Sequence, residues 1–263
     1  MTPSQGLIGP NTRNAWRAEP GSVRLARTTR PPRTATLEAL PRTVVVDLAA
    51  TALIVVDMQN DFCHPDGWLA SIGVDVGPAR APIPVLAGLL PRLRAAGVPV
   101  VWLNWGNRPD RANLPPGVLH VYDPDGTGAG IGAPLASGLG RVLERGSPSA
   151  AVVAGLEAAE EDLHVGKYRM SGFQDTELDS VLRNLRVDSL LFAGVNADQC
   201  VLATLMDAAN LGYDVLLVEE ATATTSPAFC MDATLYNVRQ CFGFTLTADA
   251  LSRGLATAAS APC

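Results

Sequence analysis

Apolar runs without polar alternation recur along the chain at 52–56, 98–103, 163–166, 189–195, 214–218 and 242–246. Continuous runs of this length read as strands buried on both faces of a mostly parallel sheet. Helical spacing of apolar positions occupies 80–96, 176–185, 198–211 and 228–240. Strand and helix in alternation predict a three-layer α/β/α sandwich around a mostly parallel, doubly wound sheet of about six strands. Ligands of such sheets bind beyond the carboxyl ends of the strands, so the residues just after each run are the ones to inspect.

Two stretches break the pattern. Residues 1–42 are rich in Pro, Arg and Thr and show neither period. They predict an extended or flexible arm, lying over the body or embracing a neighbouring subunit. Residues 105–150 are rich in Gly and Pro and include GTGAGIG at 126–132. That run follows no predicted strand and ends in no Gly-Lys-Ser/Thr, so a long loop over a site is the better reading than a phosphate cradle. The predicted organisation is therefore an arm (1–42), one α/β domain (43–256) and a short tail (257–263).

Composition narrows the class. With 48% apolar residues in 263, the chain can build a sizeable core, which excludes disorder throughout. A net charge of −6 argues against a nucleic-acid surface and suits a neutral or cationic ligand. No apolar run reaches the length of a membrane span, and the first residues do not form a secretory leader. Five cysteines (Cys63, Cys200, Cys230, Cys241, Cys263), odd in number and without CxxC spacing, point to reduced thiols in a cytoplasm. Nineteen of the twenty basic residues are Arg, and the single lysine is Lys167.

That lysine ends the third apolar run. Asp57 ends the first, and Cys200 follows the fourth at the predicted opening of a helix. Singly, each has a plain structural reading: a turn former, a solvated cation, a small buried hydrophobe. Together they fall at one edge of the predicted sheet. A thiol attacks as thiolate, and an ammonium group and a helix N-terminus both lower its pKa. A carboxylate can take the thiol proton and later deliver it to a leaving amine.

The motifs that carry these residues are ALIVVDMQNDF at 52–62, KYRMSG at 167–172 and GVNADQCV at 194–201. In them the chain resembles the isochorismatase-like cysteine hydrolases, over roughly residues 52–251. The resemblance implies a catalytic triad of Asp57, Lys167 and Cys200. It also implies a cis peptide at Val195–Asn196 and an oxyanion hole made by the backbone N–H groups of Asn196 and Cys200. Most relatives carry Ala or Thr at the position of Asn196. No metal or organic cofactor is implied, and a homodimer or homotetramer is.

Nicotinamidase-type members bind metal through an Asp-x-His pair after the second strand. Here that stretch is NWGNRPD (104–110), and His64, His120 and His164 are isolated from one another. Residues 107–115, 128–146, 167–182 and SPAF (226–229) resemble the biuret and ureidoacrylate hydrolases, with streptothricin hydrolase a further relative. The expected function is cysteine-dependent hydrolysis of an amide, ureido or lactam C–N bond in a small molecule, through an acyl-enzyme. The alternatives are a lactam-specific hydrolase, an isochorismatase-type ether hydrolase, and a non-catalytic binding protein on the same fold. Asn104, Trp105, Asn107, Phe173 and Gln174 follow the second and third strands and are the candidate substrate contacts. Gln59, Asn60 and Asp61 either brace the catalytic loop or touch substrate.

Overall fold

The computed structural model describes residues 6–27, 31–128 and 130–259. Five short strands come first: β1 (Leu7–Ile8), β2 (Trp16–Glu19), β3 (Ser22–Arg24), β4 (Thr34–Leu37) and β5 (Val44–Asp47). The central sheet follows as β6 (Thr51–Val56), β7 (Val100–Trp105), β8 (Leu163–Lys167), β9 (Ser189–Gly194), β10 (Asp214–Thr222) and β11 (Phe244–Leu246). Its order is β11-β10-β9-β6-β7-β8, and every pairing is parallel. The chain winds outward from β6 through β7 to β8. It then returns to the other side of β6 and winds through β9 and β10 to β11. The switch point between β6 and β9 is where such a sheet opens a crevice at its carboxyl edge.

Short helices α1 (Asn60–Cys63), α2 (Trp68–Ser71) and α3 (Gly77–Arg80) follow β6 and lead into α4 (Pro82–Ala95). Next come α5 (Pro116–Tyr122), α6 (Leu178–Leu185), α7 (Leu202–Asn210), α8 (Ala228–Asn237) and α9 (Ala248–Ala259). Helices α4 and α9 pack on each other and on β10, and α7 also packs on β10. Every residue of β6 and β9 is buried, as expected of central parallel strands covered on both faces. The two strands meet at Gly194, where φ is +113° and an added Cβ would stand 2.0 Å from the Val56 carbonyl oxygen. Only glycine fits that junction. No helix among the described residues is long and apolar enough to cross a membrane.

The predicted strands and helices are all found, with shifted ends. The second strand runs to Trp105 rather than 103, and this shift of two residues matters for the site below. The predicted helix 198–211 begins as a π-helical turn, Ala197–Val201, before α7. Of the expected tail at 257–263, residues 257–259 belong to α9, and residues 260–263 lie outside the described residues.

Residue 42, where the arm is expected to end, lies between two paired strands. They form a hairpin of β4 and β5, whose inward residues Ala35 and Leu37 are buried. Leu37 packs under α9 so closely that a Cβ on Gly254 would lie 2.3 Å from it. Leu40 exchanges backbone hydrogen bonds with Thr245 at 2.8 and 2.9 Å, closing the edge of β11. A two-residue alternation over four positions is too short to register as a period, which is why composition alone made this stretch look like an arm. Leu37→Ala is expected to cost about 2–5 kcal/mol, as for other fully buried leucines. Urea denaturation of the variant checks it, and a loss under 1 kcal/mol would return β4 to the arm.

Candidate active site

Asp57, Lys167 and Cys200 reach the switch point from three strand ends. Asp57 follows β6 with φ of +50°, an uncommon backbone for a residue with a side chain. The conformation is held on both sides. The Trp105 N–H donates to Asp57 Oδ1 at 2.9 Å and also to Gln59 Oε1 at 2.8 Å. Gln59 Nε2 returns bonds to the carbonyls of Trp105 and Ala150 at 2.8 and 2.6 Å. Asn60 Nδ2 donates to the Pro148 carbonyl at 2.9 Å, and Asp61 Oδ2 accepts from Leu143 N at 2.8 Å. These three residues therefore fasten the 105–150 segment to the end of β6. Burial pushes the Asp61 carboxyl up to about 6 despite the Leu143 and Ser149 contacts.

Lys167 starts two strands away from β6, a span of roughly 10 Å at normal strand spacing. Its stem crosses the ring of Trp105, with Nζ 4.4 Å from the ring centroid. Nζ ends 2.8 Å from Asp57 Oδ2, 3.2 Å from Cys200 Sγ and 3.3 Å from the Arg169 carbonyl. Lys167 and Asp57 are fully buried, and Cys200 is 4% exposed. The Met170 sulfur lies 3.7 Å from Sγ on the other side.

Burial sets the electrostatics. It raises the Asp57 carboxyl above the ordinary carboxylate range, against the pull of Lys167. It opposes the ammonium of Lys167, but Asp57 and Cys200 outweigh it and the group is held above its usual value. It pushes the Cys200 thiol up to about 12, with Lys167 only partly offsetting it. The expectation of a lowered thiol pKa is thus overturned. Lys167 does favour the thiolate, but burial and the neighbouring Asp57 outweigh it in so dry a place.

Cys200 sits in the π-helical turn. The N–H groups on either side of it, those of Gln199 and Val201, both donate to the Asn196 carbonyl, at 3.1 and 3.2 Å. The peptide Val195–Asn196 is cis. The Asn196 side chain turns to Thr225, accepting its backbone N–H at 3.1 Å. Thr204, fully buried on α7, accepts the Gly172 N–H at 3.0 Å and donates to the Cys200 carbonyl at 2.7 Å. It couples the loop that follows Lys167 to the turn that carries Cys200, and nothing in the sequence pattern singled it out.

The candidate substrate contacts separate. Trp105 shares a face with Lys167, whereas Asn104 points to the opposite face, because alternation within β7 sends neighbours apart. Asn104 and Trp105 nevertheless both line a cavity of about 510 Å³, with Trp102, Arg145, His164 and Tyr168. Asn107 is fully buried, its N–H bonded to Leu143 O at 2.8 Å and its Nδ2 to Arg108 O at 3.3 Å. Phe173 packs on Tyr213 with ring centroids 5.8 Å apart, and exposed Gln174 donates to Asp207 at 3.0 Å. Gln174 thus braces α7, and Phe173 packs beside the turn that follows that helix. Among the described residues, no group of three His, Cys, Asp or Glu is placed to hold a metal ion.

One residue at the site came from the long segment. Tyr122, the last residue of α5, is close enough to Cys200 and Asp57 to feel their charges, and burial together with those charges raises its phenol. Its ring meets Trp68 edge-on at 5.1 Å. The 105–150 segment is therefore a cover with a helix in it. Tyr122 lay in a stretch whose period was too short to read.

Two substitutions test this geometry. Lys167→Met leaves the Asp57 charge buried and alone, and is expected to cost about 3–5 kcal/mol at neutral pH. Thr204→Val keeps the volume but strands a buried N–H, at about 1–3 kcal/mol. Denaturant midpoints at pH 7 measure both, and a Lys167→Met protein as stable as the parent would contradict the buried ion pair.

The isochorismatase domain model matches residues 51–250. The ureidoacrylate amidohydrolase RutB of Azorhizobium caulinodans is 33% identical over 84% of this chain and 96% of its own. A cysteine hydrolase from Pseudomonas syringae pv. phaseolicola superposes with a TM-score of 0.69 at 26% identity, covering 88% of this chain and 100% of that one. The N-carbamoylsarcosine amidase of Thermoplasma acidophilum gives a TM-score of 0.57 at 25% identity, covering 76% and 96%. The six-stranded parallel sheet with a carboxyl-edge site, and a match across three quarters of the sequence, agree with the expected hydrolase acting on non-peptide C–N bonds. The chain belongs to the isochorismatase family of hydrolases.

Proposed function

We propose that the protein is a cysteine-dependent amidohydrolase that cleaves the C–N bond of a small ureido or amide compound through an acyl-enzyme on Cys200. The observation that supports this best is the buried Lys167 ammonium bridging Asp57 and Cys200 at 2.8 and 3.2 Å. The resting thiol is protonated, and the neighbouring carboxylate is a stronger base than an ordinary one. As Sγ attacks the carbonyl carbon, Asp57 takes the thiol proton, and the carbonyl electrons collect on oxygen. The backbone N–H groups of Asn196 and Cys200 are the donors for that oxyanion.

Collapse of the intermediate breaks the C–N bond while Asp57 returns its proton to the leaving nitrogen. A thioester, or a thiocarbamate from a ureido substrate, remains on Cys200. Water, deprotonated by Asp57, attacks this carbonyl and the thiol leaves, regaining the proton. Lys167 stays an ammonium throughout, so Asp57 never becomes an isolated buried anion. Buried Trp105 Nε1 and Asn107 Oδ1 have no hydrogen-bond partner among the described residues, and they are the polar groups we assign to substrate. Ureido compounds are favoured because two of the related proteins are a ureidoacrylate amidohydrolase and an N-carbamoylsarcosine amidase.

An ammonia- or amine-release screen over ureides, biuret, cyclic amides and nicotinamide tests the class. Turnover of ureido or amide compounds with a mass adduct on Cys200 is expected, and activity on vinyl ethers alone would overturn it. Cys200→Ser and Lys167→Arg should each lower kcat/KM by about 10³-fold or more, in keeping with loss of an activated nucleophile. In the pH profile, activity needs ionised Asp57. It therefore falls as pH drops through a value above the 3.8 of a free carboxyl, because burial raises this group. An acid limb at or below 3.8 would show that the Lys167 ammonium outweighs burial at Asp57, against the raised carboxyl described here.

A further inference from the structure

Strand β8 is an edge of the central sheet, and its alternation leaves His164 and Gly166 exposed while Val165 and Lys167 are buried. Register sets His164 beside Trp102 and Gly166 beside Asn104, so these four share the face opposite to that of Lys167. The cavity of about 510 Å³ opens over them, and none of Asp57, Lys167 and Cys200 lines it. It is a second space, with Trp105 on its wall as the residue it shares with the triad's surroundings.

Two glycines seat a guanidinium in this cavity. The stem of Arg145 lies against Gly106, where an added Cβ would stand 3.5 Å from the arginine Cβ. Its head lies against Gly166, where an added Cβ would stand 3.3 Å from Nη2, 3.8 Å from Cζ and 3.9 Å from Nε. The guanidinium has no hydrogen-bond or ion-pair partner among the described residues. Asn104, the register neighbour of Gly166, holds its Oδ1 buried and likewise without a partner. An arginine head lacking an anion thus sits near a buried carbonyl oxygen lacking a donor.

The rim adds negative charge. Asp175 is already paired with Arg169 at 3.3 Å, whereas the Glu177 carboxylate has no ion-pair partner among the described residues. Trp105 and Tyr168 offer ring surface for a short hydrocarbon between the charges. A simple anion would meet Glu177 and leave Asn104 Oδ1 without a donor. A simple cation would leave Arg145 without a counter-charge. A molecule with both charges satisfies all three groups.

We propose that this cavity binds a small zwitterion of the amino-acid type, with its carboxylate on Arg145 and its ammonium between Asn104 Oδ1 and Glu177. The guanidinium fork matches a carboxylate, and the ammonium supplies the N–H that Asn104 lacks. The site uses no triad residue and is independent of the hydrolysis proposed above. A ligand held there lies beside Trp105, whose N–H holds Asp57 and whose ring carries the Lys167 stem.

Isothermal titration calorimetry of the full-length protein with glycine, β-alanine and 4-aminobutyrate tests the proposal, with propionate and propylamine as single-charge controls. At least one of the amino acids is expected to bind about tenfold tighter than either control, as loss of one charged hydrogen bond implies. Arg145→Gln is expected to weaken that binding by about tenfold. Gly166→Val, which places a side chain where the guanidinium lies, is expected to weaken it likewise. Both positions are exposed, so circular dichroism of the two variants should match the parent. Failure of all three amino acids to bind overturns the proposal. So does propionate or propylamine binding as tightly, or amino-acid binding unmoved by either substitution.

Discussion

The ion pair between Lys167 and Asp57 is fully withdrawn from water, and that single fact constrains the surrounding structure. Two charges at such depth hold together only if geometry and additional hydrogen bonds offset their desolvation. The strand order supplies the geometry, by setting the ends of β6 and β8 either side of β7. Trp105, on the intervening strand, gives the lysine stem an aromatic face and gives Asp57 a backbone donor. The positive φ of Asp57 aims its carboxylate back over the sheet edge, and Gln59 locks the turn that makes this possible. Gly194 lets β9 close on β6 so that the nucleophile's turn begins in the right place.

The same dryness acts on the Cys200 thiol. In many thiol enzymes a neighbouring cation keeps a preformed thiolate. Here the cation already lies against a carboxylate, and burial raises the thiol above its usual value. On the reaction course proposed above, charge is created only when the proton has somewhere to go, namely Asp57, and when an oxyanion has donors to meet it. Tyr122 and α5 fit this arrangement, since a covered thiol of high pKa is protected from alkylation and oxidation between turnovers. Slow modification of Cys200 in the free protein is consequently no sign of a merely structural cysteine.

Much of this was legible in the sequence because it depends on burial, which hydrophobic runs record directly. Strands β6, β8 and β9 were placed to within a residue or two, and their ends brought Asp57, Lys167 and Cys200 into consideration. What depends on phase within an element was not legible. A two-residue error in the end of β7 hid that Trp105 shares the face of Lys167 while Asn104 lies on the other, although both line one cavity. What depends on distant pairing was hidden as well. Thr204 links two segments about thirty residues apart, β4 finds its partner in α9, and Tyr122 arrives from a stretch with no readable period.

The solitary lysine can now be explained by shape as well as charge. An ammonium has three N–H donors on one small centre, and three acceptors converge on Nζ: Asp57 Oδ2, Cys200 Sγ and the Arg169 carbonyl. A guanidinium spreads its donors in a plane and presents them as a fork, so it cannot point them at three atoms around one position. It would also carry its larger head into a space closed by Trp105 and Met170, which lie within 4.4 Å of Nζ and 3.7 Å of Sγ. Elsewhere among the described residues the cations meet solvent, a carbonyl, a carboxylate or, at Arg27 and Arg239, a side-chain amide or hydroxyl oxygen, and arginine serves. At the convergence of three strand ends only a point charge fits, which is the physical reason that one lysine persists among nineteen arginines.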